Sequence, residues 1–179
     1  MTDALSPGRL SKEGSSAYQR GDYLAAARAF EAASQSYAAS GDALQSAELA
    51  NNCSVAYLQA GEAAAALSTV EGTPAIFAAA GDIRRQALAL GNLAAALEAQ
   101  SRLDEAADVY QQSADLLQQA GEYTLRVDVM RSLSALQLRT GRQLEALATM
   151  QAGLEGVKHP SPKQRVLKKL LQVPFRLMR

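Results

Sequence analysis

Residues 21–42 read GDYLAAARAFEAASQSYAASGD, a stretch that begins and ends with a glycine followed by an aspartate. The same spacing of twenty residues continues along the chain, with glycines at positions 21, 41, 61, 81, 121 and 141 and a serine at position 101. A glycine just past a helix end can adopt the left-handed backbone that closes the helix. The acidic residue after it can accept hydrogen bonds from the first N–H groups of the next helix. The period therefore predicts helices of about 18 residues joined by short turns.

This period divides most of the chain into eight helical segments. We predict helices at residues 7–20, 22–40, 42–60, 62–80, 82–100, 102–120, 122–140 and 142–157. Proline removes a backbone hydrogen bond and disfavours helix at the residue before it, so Glu71-Gly72-Thr73-Pro74 splits the fourth segment. We expect pieces at 62–71 and 74–80, with Thr73 capping the second. His159-Pro160-Ser161-Pro162 separates the array from a terminal helix at about 162–172.

Composition agrees with one helical array and excludes several classes of protein. The chain has 179 residues, of which 48% are hydrophobic and only 5% aromatic. A single cysteine excludes an intramolecular disulfide and favours a reducing compartment. The N-terminal residues show no signal-peptide pattern, and no apolar stretch is long enough to cross a bilayer. We therefore expect a cytoplasmic protein.

Charge is unevenly distributed, although the net charge is zero. Residues 158–179 hold 7 basic side chains and no acidic one, whereas the preceding residues hold 11 basic and 18 acidic side chains. The acidic body argues against nucleic-acid binding by the array. The basic tail favours binding to an anionic partner or to an acidic protein surface.

Moving along the chain by 40 residues preserves the residue type at four positions. The turn residues are Gly21, Gly61, Ser101 and Gly141; one set of alanines is Ala26, Ala66, Ala106 and Ala146; the larger residues are Phe30, Val70, Tyr110 and Met150; the small residues are Gly14, Ser54, Ala94 and Ser134. Small side chains let two helices cross closely, and larger ones fill the space beside the crossing. Each pair of helices is therefore one repeat of a packed array.

This register resembles the tetratricopeptide repeat (TPR) family. The segments 90–97 and 103–106, together with Tyr110, fit its pattern of small and aromatic residues in helices A and B. The period of 40 residues is longer than the family's usual repeat of about 34. It is similar to the longer TPRs of kinesin light chains, spindle-orientation scaffolds and some bacterial peptide-sensing regulators.

The resemblance implies an all-α, right-handed superhelical solenoid of four repeats with a C-terminal capping helix. The repeats would span residues 7–40, 41–80, 81–120 and 121–157, so that the solenoid occupies 1–157 and the basic helix and tail occupy 158–179. The first helix lacks the bulky residues of the pattern, which is typical of a worn terminal repeat that faces solvent.

The resemblance also implies a peptide-binding groove lined by helix A of each repeat. The residues that would face it are Glu48, Asn51, Asn52, Asn92, Asp128, Arg131 and Ser132. Asn52 and Asn92 are equivalent positions, at which the longer TPRs place an asparagine against the peptide backbone. An amide can both donate to and accept from any peptide. The alternative is that each asparagine bonds only a neighbouring helix.

One kind of ligand is not predicted. The carboxylate clamp of chaperone-binding TPRs uses Lys, Asn, Asn, Lys and Arg. The corresponding positions here hold Ser11, Ser15, Asn52, Leu88 and Asn92, of which only Asn52 matches. Capture of a chaperone's C-terminal tail is therefore not expected.

Candidate catalytic and metal-binding residues are few. Cys53 occupies a leucine position of helix A, which predicts a small buried side chain and not a reactive thiol. His159 is the only histidine and lies in the Pro-rich break, so neither a metal site nor a catalytic triad can be assembled around it. We expect no enzymatic activity, no cofactor and no small-molecule substrate.

The basic tail leaves three interpretations open. A helix at 162–172 could cap the exposed end of the solenoid. Alternatively, Lys163, Arg165, Lys168 and Lys169 could contact an anionic membrane surface, a nucleic acid, or the acidic groove of a second copy. The sequence thus predicts a non-catalytic interaction module that binds a protein segment as an adaptor or assembly factor. Self-association and membrane attachment through the tail are the alternatives.

Overall fold

The computed structural model of the chain describes residues 6–158 and 160–166. Within them no β-strand is present, and the main elements are nine α-helices. The helices are α1 Pro7–Gln19, α2 Tyr23–Ala39, α3 Ala43–Gln59, α4 Ala63–Val70, α5 Thr73–Ala79, α6 Ile83–Ala99, α7 Leu103–Gln119, α8 Tyr123–Arg139 and α9 Gln143–Gly153. Residues 162–166 are also helical. The all-α fold of paired helices predicted from the twenty-residue period is confirmed.

Two local predictions were wrong. Thr73 does not cap α5 but is its first residue, and its hydroxyl donates to Val70 O at 3.0 Å and Asn51 Oδ1 at 3.3 Å. Helix α9 ends at Gly153 and not at residue 157, because a turn follows in which Gly156 has a φ of 80°. The interruption of the fourth segment between α4 and α5 is confirmed.

The turns between helices have the geometry that the glycine period requires. In the first, the Gly21 N–H donates to Tyr18 O at 3.0 Å and the Asp22 N–H donates to Ala17 O at 3.0 Å, which is a Schellman motif. Asp22, Asp42 and Asp82 each accept a hydrogen bond from the backbone N–H three residues later. The same left-handed conformation recurs at Ser101, whose φ is 61°. Glycine is therefore replaced at this position, but the backbone conformation is kept.

The two helices of a repeat approach each other closely at the small residues of helix A. Ser54 Oγ donates to Ala66 O at 2.9 Å, and Ser134 Oγ donates to Ala146 O at 2.8 Å. These two bonds are 80 residues apart and join equivalent atoms of the second and fourth repeats. All four predicted small residues of helix A are buried, and so are the four alanines opposite them in register. The 40-residue register thus describes a real and repeated packing contact.

The chain forms two compact units, Met1–Val109 and Tyr110–Arg179, and α7 contributes residues to both. In the first unit, Ala26, Ala27 and Phe30 of α2 form a core with Leu49 and Cys53 of α3. Smaller clusters follow along the unit, one of Ala47, Phe77 and Ala89 and one of Ala66, Val70 and Ala96. In the second unit, Val127 of α8 packs with Leu154 after α9. The division into a solenoid at 1–157 and a tail at 158–179 stays a prediction.

A substitution at Ser101 tests the turn geometry. A side chain in the left-handed region costs roughly 1–2 kcal/mol, which the flexibility of glycine in the unfolded chain partly offsets. We expect Ser101→Gly to raise the free energy of unfolding by about 0.5–1 kcal/mol. Gly61→Ser is the matched reverse change one repeat earlier, where φ is 80° and no atom crowds the new Cβ. It should lower the free energy of unfolding by a similar amount, as measured by urea unfolding. If both substitutions changed that free energy in the same direction, the left-handed conformation assigned to this turn position would be contradicted.

Gly14 tests the close approach of α1 and α2. A Cβ at this position would lie 2.7 Å from Cδ1 and 2.8 Å from Cε1 of the buried Phe30 ring. We expect Gly14→Ala to lower the free energy of unfolding by about 1–2 kcal/mol, because overpacking outweighs the gain in helix propensity. Gly8→Ala on the same helix meets no atom within 4 Å and should be neutral or stabilising in thermal unfolding. A stabilising Gly14→Ala would show that the two helices are not in contact here.

Candidate functional site

Helix α3 lies between two clefts of the first unit. One, which we call the polar cleft, has a volume of about 280 Å³ and is lined by Glu48, Asn51, Asn52, Phe77, Arg84, Arg85, Leu88 and Asn92. The other, the aromatic cleft, has a volume of about 290 Å³ and is lined by Ser15, Tyr18, Gln19, Phe30, Asn52 and Val55. Asn52 is exposed and borders both clefts. Side chains from α1, α3 and α6, the first helices of their repeats, therefore dominate one surface.

Asn51 and Asn92 of the polar cleft are hydrogen-bonded to each other, and Asn51 is also bonded to Thr73, which does not line the cleft. The buried Asn51 donates from Nδ2 to Ala47 O at 2.9 Å within α3. Its Oδ1 accepts from Asn92 Nδ2 of α6 at 3.3 Å and from Thr73 Oγ1 of α5 at 3.3 Å. Asn51 thus connects three helices and forms part of the cleft wall. Asn92 bonds a neighbouring helix, as the alternative in the sequence analysis states, while Asn52 projects from the surface.

The charged side of the polar cleft is organised by Arg85. Its Nε donates to Asp82 Oδ2 at 2.6 Å, and its Nη1 donates to Glu48 Oε2 at 3.3 Å. Hydrogen bonds from the Arg85 backbone N–H and guanidinium lower the pKa of Asp82, and the hydrogen bond to Asp82 raises the pKa of Arg85. The guanidinium also lies 5.2 Å from the centre of the Phe77 ring, within cation–π distance. Glu48 is therefore held at the cleft rim by a partner in the next repeat.

The aromatic cleft is lined by packed aromatic rings. Phe30 is buried against Gly14, which has no side chain to displace the ring. Tyr18 packs edge-to-face against Tyr23, with the ring centres 5.3 Å apart. The hydroxyl of Ser15 donates to Ser11 O at 3.0 Å within α1. The cleft thus offers apolar surface next to the exposed amide of Asn52.

The remaining predicted groove residues lie in the second unit. Arg131 Nη2 donates to Asp128 Oδ1 at 2.8 Å, in a pair whose side chains are 66% and 55% exposed. Such exposed pairs contribute little to stability, on the order of 0–1 kcal/mol. Both residues line a cleft of about 260 Å³ together with Lys163. Ser132 is half-buried on α8, and its hydroxyl donates to Asp128 O at 3.4 Å.

Part of the basic tail falls within the described residues. Ser161 and Gln164 form a capping box, because the Ser161 N–H donates to Gln164 Oε1 at 2.8 Å and the Gln164 N–H donates to Ser161 Oγ at 3.3 Å. Lys163 and Arg165 are exposed on the helical residues that follow. The predicted contacts at Lys168 and Lys169, and the end of the predicted helix at 162–172, lie outside the described residues. The role of this segment stays a prediction.

Cys53 is buried, as predicted, and its thiol donates to Ala27 O at 3.3 Å. Burial raises the pKa of the thiol to about 12, so it is protonated at neutral pH. Within residues 6–158 and 160–166, no group of three His, Cys, Asp or Glu side chains is arranged to hold a metal ion. None of the helices in that part of the chain is long and apolar enough to cross a membrane.

Several residues of the two clefts were missed by sequence reasoning. Arg84 and Arg85 lie one turn before Leu88 on α6, so the helical spacing of the expected groove positions could have identified them. Phe77 could not be identified in this way, because it belongs to the second helix of its repeat and reaches the cleft only after the break at Pro74. Thr73 was assigned a capping role, whereas it contacts Asn51.

Comparison with known protein families finds a match over the C-terminal part of the array. Residues 85–158 match the family model described as tetratricopeptide repeat. A search of curated proteins found no match to the chain. The matched residues contain the turns at Ser101, Gly121 and Gly141, and the same register of turns and small residues runs through residues 7–80. The match supports the tetratricopeptide repeat resemblance directly for residues 85–158.

Proposed function

We propose that the chain is a non-catalytic adaptor that binds a peptide or protein segment along the surface of α1, α3 and α6. TPR proteins typically bind other proteins, and the family is a scaffold without catalytic machinery of its own. The observation that carries the proposal is the position of Asn52, an exposed amide between the two clefts. An amide there can bond the backbone of a segment that crosses α3.

The two clefts are chemically different, and this difference supports a bound peptide. The aromatic cleft provides Tyr18, Phe30 and Val55, which favour an apolar side chain. The polar cleft provides Glu48 and Arg85, which favour polar or charged groups. A segment lying across Asn52 could place side chains in both. Apolar anchoring together with backbone recognition is how grooves of this kind gain both affinity and specificity.

The alternatives through the tail rest on fewer described residues. Lys163 and Arg165 are exposed, and Val166 is 59% exposed beside them. This combination of basic and apolar side chains favours attachment to an anionic membrane or to a second copy. Truncation before residue 162 separates these alternatives from groove binding, because a chain that binds its peptide through α1, α3 and α6 keeps its affinity after the truncation.

The proposal is tested by selecting ligands from a random peptide library with the full chain and measuring their affinity by titration calorimetry. We expect Asn52→Ala to lower the affinity for a selected peptide by about fivefold to tenfold, because one or two hydrogen bonds are lost. Gln35→Ala is the control, because Gln35 is exposed on α2 and lines neither cleft. It should leave affinity unchanged.

Two results would contradict the proposal. The first is that the library yields no peptide that binds in calorimetry. The second is that Asn52→Ala binds a selected peptide as tightly as the wild type does. Circular dichroism of both variants shows whether the helical fold is retained. Since Asn52 is exposed and the substitution creates no cavity, a loss of fold is not expected.

A further inference from the structure

The amide orientation of Asn51 follows from its bond to the backbone. Its Nδ2 lies 2.9 Å from Ala47 O, which can only accept. The nitrogen of Asn51 must therefore face Ala47, and Oδ1 must face the other way. Asn51 is only 9% exposed, so a reversed amide would leave the Ala47 carbonyl against another acceptor without access to bulk water. The side chain of Asn51 consequently has one stable orientation.

The orientation of Asn51 then determines that of Asn92. Asn92 Nδ2 lies 3.3 Å from Asn51 Oδ1, so reversing the Asn92 amide would bring two acceptor oxygens together. The carbonyl oxygen of Asn92 is thereby kept away from Asn51. Because Asn92 lines the polar cleft, Oδ1 is the acceptor that it can offer there.

Thr73 supports this arrangement from a third helix. Its single hydroxyl proton lies between Val70 O at 3.0 Å and Asn51 Oδ1 at 3.3 Å, in a three-centre arrangement. Thr73 is 4% exposed, so the hydroxyl has little access to water as an alternative partner. The break before Pro74 starts α5 at Thr73 and places the hydroxyl next to α3. Thr73 of α5 therefore acts on the polar cleft through Asn51, which lines it.

We propose that Asn51 is a positioning residue that fixes Asn92 as a hydrogen-bond acceptor, and that the bound segment places a backbone N–H donor at Asn92 Oδ1. This inference rests on the proposed function, because it requires a peptide in the polar cleft. Among the residues that line the polar cleft, the asparagines are the neutral polar side chains, and an amide can bond a peptide backbone. Asn51 acts through Asn92 and does not itself contact the peptide.

The first experiment needs no ligand. Exchange of the Asn92 side-chain amide protons with solvent is measured by NMR in the wild type, Asn51→Leu, Thr73→Val and Thr73→Ser. We expect exchange about tenfold faster in Asn51→Leu, because its acceptor is lost, and about twofold to threefold faster in Thr73→Val. Thr73→Ser keeps the hydroxyl and should match the wild type. If Asn51→Leu does not fold, the comparison of Thr73→Val with Thr73→Ser tests the positioning role of Asn51. Unchanged exchange in every folded variant would overturn the positioning role.

The second experiment uses a peptide selected by the wild type from the random library. Each backbone N–H in turn is replaced by an ester oxygen, which removes the donor without adding bulk. We expect one replacement to weaken binding to the wild type by about tenfold. This penalty should disappear in Asn92→Ala and fall to about threefold or less in Asn51→Leu, in which Asn92 is no longer oriented.

The outcomes separate the inference from the proposed function. If the role of Asn51 were merely structural, Asn51→Leu would bind all the ester analogues and the parent peptide more weakly by the same factor. That result would overturn the inference. So would a selected peptide without any ester-sensitive position, although the proposed function would stand. A library that yields no binding peptide would instead overturn the proposed function, and the donor assignment at Asn92 with it. The exchange measurement would then still decide whether Asn51 orients Asn92.

Discussion

The close crossing of the two helices within a repeat is the contact on which the structure depends. Two hydrogen bonds join the helices at this crossing: Ser54 Oγ donates to Ala66 O, and Ser134 Oγ donates to Ala146 O. A larger side chain at either serine would separate the helices and expose the alanines beneath them. The same crossing of small residues returns every 40 residues, although the second helix of the second repeat is divided into α4 and α5. The Schellman turns then return the chain to begin the next helix.

This regular crossing explains why the candidate site forms on the first helices of the repeats. The alanine-rich faces of α2 and α4 are used for packing, with Ala26 and Ala66 fully buried. Helices α1 and α3 keep polar residues such as Ser15 and Asn52 exposed. The clefts lie between successive first helices and are closed below by Phe30 and Phe77 of the second helices. Binding surface and core are thus products of one packing pattern.

Much of the fold could be predicted from the sequence because its determinants are local. The turn glycines and the aspartates after them predict where helices end, and the small residues predict where the two helices of a repeat cross. Even the break at Pro74 follows from backbone chemistry alone. The end of α9 could not be predicted, because Gly156 lies off the twenty-residue period and ends the repeat pattern early.

The candidate site was less accessible to sequence reasoning, because its geometry depends on side chains far apart in the chain. Repeat register made Asn52 and Asn92 equivalent, but in the structure Asn92 bonds Asn51 and Asn52 is exposed. Thr73 of α5 also bonds Asn51, the residue that Asn92 contacts. Register predicts which positions share a face. It does not predict which amide is held and which remains exposed.

The most direct test of the central claim is a crystal structure of the chain with a peptide selected from the library. The peptide should lie across α3 at Asn52, with a backbone N–H within about 3 Å of Asn92 Oδ1. It should also place a side chain in the aromatic cleft beside Phe30 and Val55. A peptide bound on the outer faces of α2 and α4, or on the residues after 158, would contradict the assignment of this surface as the binding site.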